Sequence, residues 1–176
     1  TKEDLLFLST EYGAHLILIE NRNCNGARDM INHYGLEYDY VVYVDNDALL
    51  PDNWLEIMLD IGINTKAAIV GMPQEKMDGT YGFYGNFEMK KSCIIFKEND
   101  FLPEKSMQVD WVTGHCLMLS NEFLSSIWIE FQLWQRQRLF PIDLDDLDLM
   151  MMAKQNGKQV FATTIASKQN RDYLSE

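Results

Sequence analysis

Basic residues are scarce in this chain: 15 Lys and Arg stand against 27 Asp and Glu, for a formal net charge of -12. Such a field repels phosphate backbones and anionic lipid, which argues against nucleic-acid or membrane-surface binding. An anionic substrate would need a cation as go-between. Cysteine is also scarce. Cys24, Cys93 and Cys116 are odd in number, far apart and outside C-x-x-C pairs, and read as reduced thiols of a cytoplasmic protein. No apolar run approaches the ~18 residues needed to cross a bilayer, and no signal sequence opens the chain. A soluble intracellular domain without a transmembrane segment is expected. There is no internal repeat, low-complexity linker or composition break, and 176 residues that are 47% hydrophobic suit a single domain with its own core, spanning 1–176.

The stretch that organises the rest is Tyr38 to Asp47. An apolar, β-branched and aromatic run of strand length ends in two carboxylates one residue apart. A buried parallel strand would leave its sheet there, at the edge where ligands of open α/β sheets collect. Upstream, residues 3 to 12 read as a helix, Ala14 to Glu20 as a strand, and Ala27 to Tyr34 as a helix carrying Arg28. With 39 to 44 these form a β-loop-α-β unit with parallel strands. Downstream, Pro51 opens a helix to about Ile61 whose Trp54, Ile57, Met58 and Ile61 form a core-facing stripe. Ala67 to Gly71 is a short buried strand, 73 to 91 an excursion or hairpin near the cleft, and Ser92 to Lys97 a strand. Val109 to Ser120 is a loop entering a strand, and Asn121 caps the following helix. Residues 128 to 140 carry no clear pattern. Leu147 to Gln155 is a helix closed by Asn156-Gly157, and Val160 to Ile165 a last strand.

Three D-x-D copies occur, at Asp45/Asp47, Asp143/Asp145 and Asp146/Asp148. Position singles out the first. Carboxylates ~4 Å apart repel by about 1 kcal/mol in water and about 4 kcal/mol at an effective dielectric of 20, so a cation is favoured between them. Their hard oxygens suit Mg²⁺ or Mn²⁺, while a solvated turn with an Asx cap is the plain reading. Asp145 and Asp146 stand at a helix start, where either can cap; four acids in six residues exceed what a cap requires, and one could take a proton as general base. In Asp110-Trp111-Val112-Thr113-Gly114-His115, an aromatic face, a hydroxyl and a glycine suit a hydroxylated acceptor. Trp111 is equally read as core, and His115 as a satisfied structural histidine.

Taken in order, these blocks resemble the family 2 glycosyltransferases of the GT-A fold. The matching residues are Asn23 to Gly26, Ala27-Arg28-Asp29, Val41 to Asp47, Trp54, Asp110 to Gly114, and Asp145-Asp146-Leu147-Asp148-Leu149. The resemblance implies an α/β fold: a Rossmann-like, mixed but mostly parallel central sheet flanked by helices. It implies an inverting transfer of a sugar from a nucleotide-diphosphate-sugar to a hydroxyl acceptor such as a glycan, a lipid-linked sugar or a protein. Asp45 and Asp47 would hold Mn²⁺ or Mg²⁺ on the diphosphate, with Asn46 between them and Arg28 toward the base. Asp146, or alternatively Asp145, would activate the acceptor, with Trp111, Thr113, Gly114 and His115 beside it.

The family opens with about one more βαβ unit, so the chain is expected to start part-way into the domain. Gln135-x-x-Arg138 precedes the acidic block and ends in Leu139, unlike the Q-x-x-R-W of processive synthases, which favours single addition. A sugar-phosphate nucleotidyltransferase and a non-catalytic sugar- or metal-binding module are the alternatives.

Overall fold

The computed structural model describes residues 37–45, 47–90, 93–127 and 145–169. The expected helix at 3 to 12, the β-loop-α-β unit before Tyr38, Arg28, Asn46 and residues 128 to 140 lie outside this set.

Among the described residues a five-stranded sheet holds the centre. Its strands are β1 (Tyr40–Val44), β3 (Ile69–Gly71), β8 (Met107–Val109), β10 (Cys116–Ser120) and β11 (Val160–Ala162), in the order β1-β10-β3-β11-β8. Both faces of this sheet are covered. Ile69, Leu117 and Leu119 point to one core with Phe123, Leu124, Leu149, Met150 and Ala153. Val70, Cys116 and Met118 point to the other, with Met58 and Ile61. The period-2 alternation thus lets β1, β3, β10 and β11 each feed both hydrophobic clusters, while β8 feeds the first alone.

The first cluster rests on helices α2 (Asn121–Ser126) and α3 (Asp145–Gln155), the second on α1 (Trp54–Thr65). In α1 the Trp54, Ile57, Met58, Ile61 stripe faces the sheet as its spacing implies, with Met58 fully buried. The helix starts three residues later than Pro51, because Asn53 takes a left-handed backbone (φ 57). It runs on to Thr65, whose hydroxyl donates to the Ile61 carbonyl at 2.6 Å. At α2 the cap is Ser120, whose hydroxyl accepts from the Phe123 amide; Asn121 is the first helical residue and instead donates to the Tyr38 carbonyl.

Two smaller sheets complete the described structure. One joins β2 (Ala48–Leu49), β12 (Ser167–Gln169), β4 (Gln74–Glu75) and β5 (Tyr81–Gly82); the other joins β7 (Cys93–Glu98), β6 (Tyr84–Lys90) and β9 (Trp111–Val112). The stretch 73 to 91 therefore holds three strands, one of them the first arm of the β6–β7 hairpin.

The expectation of a Rossmann-like, mostly parallel sheet flanked by helices is overturned. Among the described residues only β3–β11 and β4–β12 pair in parallel, while β1–β10, β10–β3, β11–β8 and the whole third sheet are antiparallel. Strand is plentiful, and three helices appear among the described residues. The physical reason lies in burial. A strand covered on both faces reads as a continuous apolar run whichever way its neighbours point, so the composition of 117 to 119 and 67 to 71 carries no sense of direction. Among the described residues the segment 38 to 44 likewise has no parallel neighbour. It pairs antiparallel with β10, and Val44 is 42% exposed.

Candidate metal centre and its neighbouring acid

The antiparallel ladder of β1 and β10 builds the site. Its register pairs Val44 with Cys116 as the last rung. One residue further out, the Asp45 amide donates to the His115 carbonyl at 3.0 Å. Residues opposite each other in such a ladder project to the same face. Asp45 and His115 are thereby set side by side, and the turn after Asp45 swings Asp47 in as the third member, with the Ala48 amide bonding back to the Asp45 carbonyl at 3.1 Å.

His115 Nε2 lies 3.9 Å from Asp45 Oδ2 and 3.9 Å from Asp47 Oδ1. One donor atom from each of the three residues falls within 4.8 Å of the other two, so the group can hold a metal ion. Two carboxylate oxygens and an imidazole nitrogen are a donor set that a divalent cation accepts. The outer oxygen of Asp47, Oδ2, accepts from Gln169 Nε2 on β12 at 2.9 Å, which leaves Oδ1 turned toward His115. His115 is buried, and its Nδ1 has no hydrogen-bond partner. That departs from the satisfied structural histidine expected at this position.

Charge around Asp45 is crowded. Burial pushes its carboxyl above the ordinary value, the His115 imidazole draws it back, and the carboxylates of Asp47 and Asp146 push it up again. Cys116, just inside the rung, is a free thiol whose pKa burial raises well above the usual value. It packs on Met58 in the core and is no nucleophile.

The later acidic block reaches the same place through Gly114. The Gly114 amide donates to Asp146 Oδ2 at 2.8 Å, and Asp146 Oδ1 accepts from the Leu147 amide at 2.8 Å. Asp146 is thus tied to the loop that carries His115, beyond what an ordinary cap would do. A Cβ added at Gly114 would stand 3.2 Å from Asp146 Oδ2 and 3.3 Å from its Cβ, so the absence of a side chain there permits the approach. Helix α3 begins at Asp145, two residues before the Leu147 anticipated from the sequence. At its far end, Lys154 pairs with Asp110 Oδ1 at 2.6 Å, while Asp110 Oδ2 accepts from the Phe87 amide at 2.9 Å. Both ends of α3 are thereby pinned to the layer containing β6 and β9.

Of the residues singled out in the sequence, Asp45, Asp47, Gly114, His115 and Asp146 come together. Trp111 is half-buried, its ring edge-on to Phe96 with centroids 5.7 Å apart, and Phe96 in turn meets Phe87. Its packing is that of the core reading. Thr113 sits next to the site and donates its amide to the Phe83 carbonyl at 2.7 Å. Two contributors escaped sequence reasoning. His115 as a partner of the D-x-D pair could have been found only by pairing 40–44 with 116–120 antiparallel, and nothing in the sequence marks Gln169.

The fold is similar to that in the crystal structure of A197 from STIV, with a TM-score of 0.54 across 93% of this chain and 76% of that one. The two sequences are 13% identical. The likeness extends to the fold alone. No protein-family model matches the sequence, and no curated protein is detectably similar to it. No helix among the described residues is long and apolar enough to cross a membrane.

Proposed function

We propose that this protein is a metal-dependent, inverting glycosyltransferase that moves a sugar from a nucleotide-diphosphate-sugar to a hydroxyl-bearing acceptor. The observation that carries the reading is the Gly114–Asp146 hydrogen bond, which draws a carboxylate from the second acidic block to the loop bearing His115. It is supported by the order of the motifs, which resembles that of the family 2 glycosyltransferases.

A divalent ion, Mn²⁺ or Mg²⁺, held by Asp45 and Asp47 would bind the diphosphate and offset the charge that grows on it as it departs. Asp146 is the general base. Hydrogen bonds from the Gly114 and Leu147 amides hold the carboxylate in one orientation, and a carboxylate so oriented is suited to receive a proton. As the acceptor oxygen forms its bond to the anomeric carbon, that carbon's bond to the diphosphate oxygen breaks and the hydroxyl proton passes to Asp146. Attack opposite the departing group inverts the configuration. By resemblance Thr113 and Gly114 would stand on the acceptor side of Asp146, with Asp145 next to it in sequence at the start of α3, and Arg28 and Asn46 on the nucleotide side.

The test is turnover of a panel of nucleotide-sugars with Mn²⁺, comparing Asp146→Asn with Asp47→Asn. Asp146→Asn is expected to lose transfer and retain donor binding, whereas Asp47→Asn loses metal-dependent donor binding. If the wild type binds donor but turns none over under any condition, the non-catalytic module takes the place of this reading. Pyrophosphate exchange without sugar transfer points instead to a nucleotidyltransferase.

A further inference from the structure

One bulky side chain near the candidate site is held in a backbone conformation that it disfavours. Phe83, between β5 and β6, has φ 60, in the left-handed region. Among the described residues only two other non-glycines do so, Asn53 and Lys66, and these cap the two ends of α1. A helix end accounts for them. Nothing of that kind accounts for Phe83, whose β-carbon and aromatic ring meet steric resistance in this region. Such a conformation persists only where its surroundings over-determine it, and it collects at sites that contact ligands.

Three contacts hold Phe83 in place. Its amide donates to Glu98 Oε1 at 2.6 Å, and its carbonyl accepts from the Thr113 amide at 2.7 Å. Lys76 Nζ, paired with the same Glu98 oxygen at 2.9 Å, stands 5.1 Å from the centre of the ring. Gly82 makes room for this arrangement, because a Cβ there would collide with Lys76 Cε and Glu98 Oε1. Yet Phe83 remains 42% exposed. The fold fixes the ring without hiding it, as a preorganised contact requires. Its location supplies the link to the chemistry: the Thr113 amide goes to Phe83, and the next amide along, that of Gly114, goes to Asp146 at 2.8 Å. Neighbouring residues of one loop thus secure both Phe83 and the carboxylate proposed as base.

We propose that the Phe83 ring is a stacking platform for a pyranose unit of the acceptor, set back from the reacting hydroxyl by the width of the Thr113-Gly114 loop. This rests on the acceptor side of the function proposed above and makes that acceptor a sugar. The ring offers an apolar face, with the Lys76 ammonium and the Glu98 carboxylate beside it. A ligand with C–H groups on one face and hydroxyls around its rim suits both kinds of contact. Lys76 and Glu98 offset each other in charge, and a chain of net charge -12 disfavours an anionic ligand. A neutral sugar ring follows.

The experiment measures binding of methyl β-glucoside, methyl β-galactoside and methyl α-mannoside to the full chain by NMR, without donor or metal. The wild type and Phe83→Trp are expected to bind at least one of them. Phe83→Asn, whose short side chain tolerates the left-handed backbone, should bind it about tenfold more weakly. In the wild type, the Phe83 ring signals should move when that pyranoside is added, a readout that does not depend on a variant folding. Failure of the wild type to bind any of the three, undiminished binding by Phe83→Asn, or unmoved ring signals would each overturn the proposal. Displacement of the pyranoside by uridine would assign the ring to the donor base and overturn it as well. In transfer assays, intact turnover with an unchanged acceptor KM in Phe83→Asn would refute the platform and leave sugar transfer standing. Phe83-dependent pyranoside binding by a protein without turnover would do the reverse.

Discussion

Replacing Asp45 by Asn removes one negative charge from a site where three carboxylates converge, and the outcome should change sign with the metal. The donor oxygens of Asp45 and Asp47 are within 4.8 Å. At such a spacing two unit charges repel by roughly 1 kcal/mol in water and roughly 3.5 kcal/mol at an effective dielectric of 20. The Asp45 side chain is 46% exposed, so solvent screening selects the lower figure. In a chain of this size, about 1 kcal/mol raises the melting temperature by about 2–4 °C. With chelator present, Asp45→Asn should therefore melt a few degrees above the wild type. Saturation reverses the order, because an ion at 100 times its Kd adds about 2.7 kcal/mol to the wild type and little to the variant.

The pH dependence has a definite sign. The Asp45 carboxyl is raised in the folded state by burial and by Asp47 and Asp146, so the folded chain holds that proton more tightly than the unfolded one does. Metal-free wild type then loses stability as pH climbs from the ordinary carboxylate value through the raised one. The advantage of Asp45→Asn should be near zero below that window and complete above it. Differential scanning fluorimetry across pH, with and without Mn²⁺, reads both effects. A variant that melts at or below the wild type in chelator at neutral pH, or one stabilised by the ion as much as the wild type is, would refute the electrostatic account.

Gly114→Ala places a Cβ 3.2 Å from Asp146 Oδ2, so the carboxylate must shift by a few tenths of an ångström. Transfer should fall about tenfold through lost alignment while Mn²⁺ affinity measured by calorimetry holds; a parallel loss of both would mean that Asp146 is not positioned by this contact. Gly71→Ala would set a Cβ 2.4 Å from Val112 Cγ1 and 2.8 Å from Leu117 Cδ2, an overpacking that should cost about 1–3 kcal/mol in urea denaturation. Tyr84 is fully buried and its hydroxyl donates to the Phe101 carbonyl. Tyr84→Phe should lose about 1 kcal/mol. Ultraviolet titration of that variant should also lack the phenol that burial, with Asp100, pushes up to about 12.

Much of the local structure was legible in advance because it depends on near neighbours. The helical stripe through Trp54, Ile57, Met58 and Ile61 follows from a 3.6-residue period, and the strand before Asp45 from its β-branched and aromatic run. The helix ahead of Asn156-Gly157 ends where left-handed Gly157 allows. Strand direction was not legible. Leu117, Met118 and Leu119 are buried on both faces, and apolar side chains satisfy a core equally well beside parallel or antiparallel neighbours.

The sequence by itself determined that two carboxylates would leave the end of one strand together and that a further acid would open a late helix, since both are matters of adjacent residues. Only the tertiary structure decided what those acids meet. Antiparallel pairing of β1 with β10 extends the register to put His115 across from Asp45, and the missing Cβ of Gly114 lets Asp146 close on the same loop. A parallel pairing would carry the two strand ends apart in chain direction, and the imidazole would have no carboxylate opposite it.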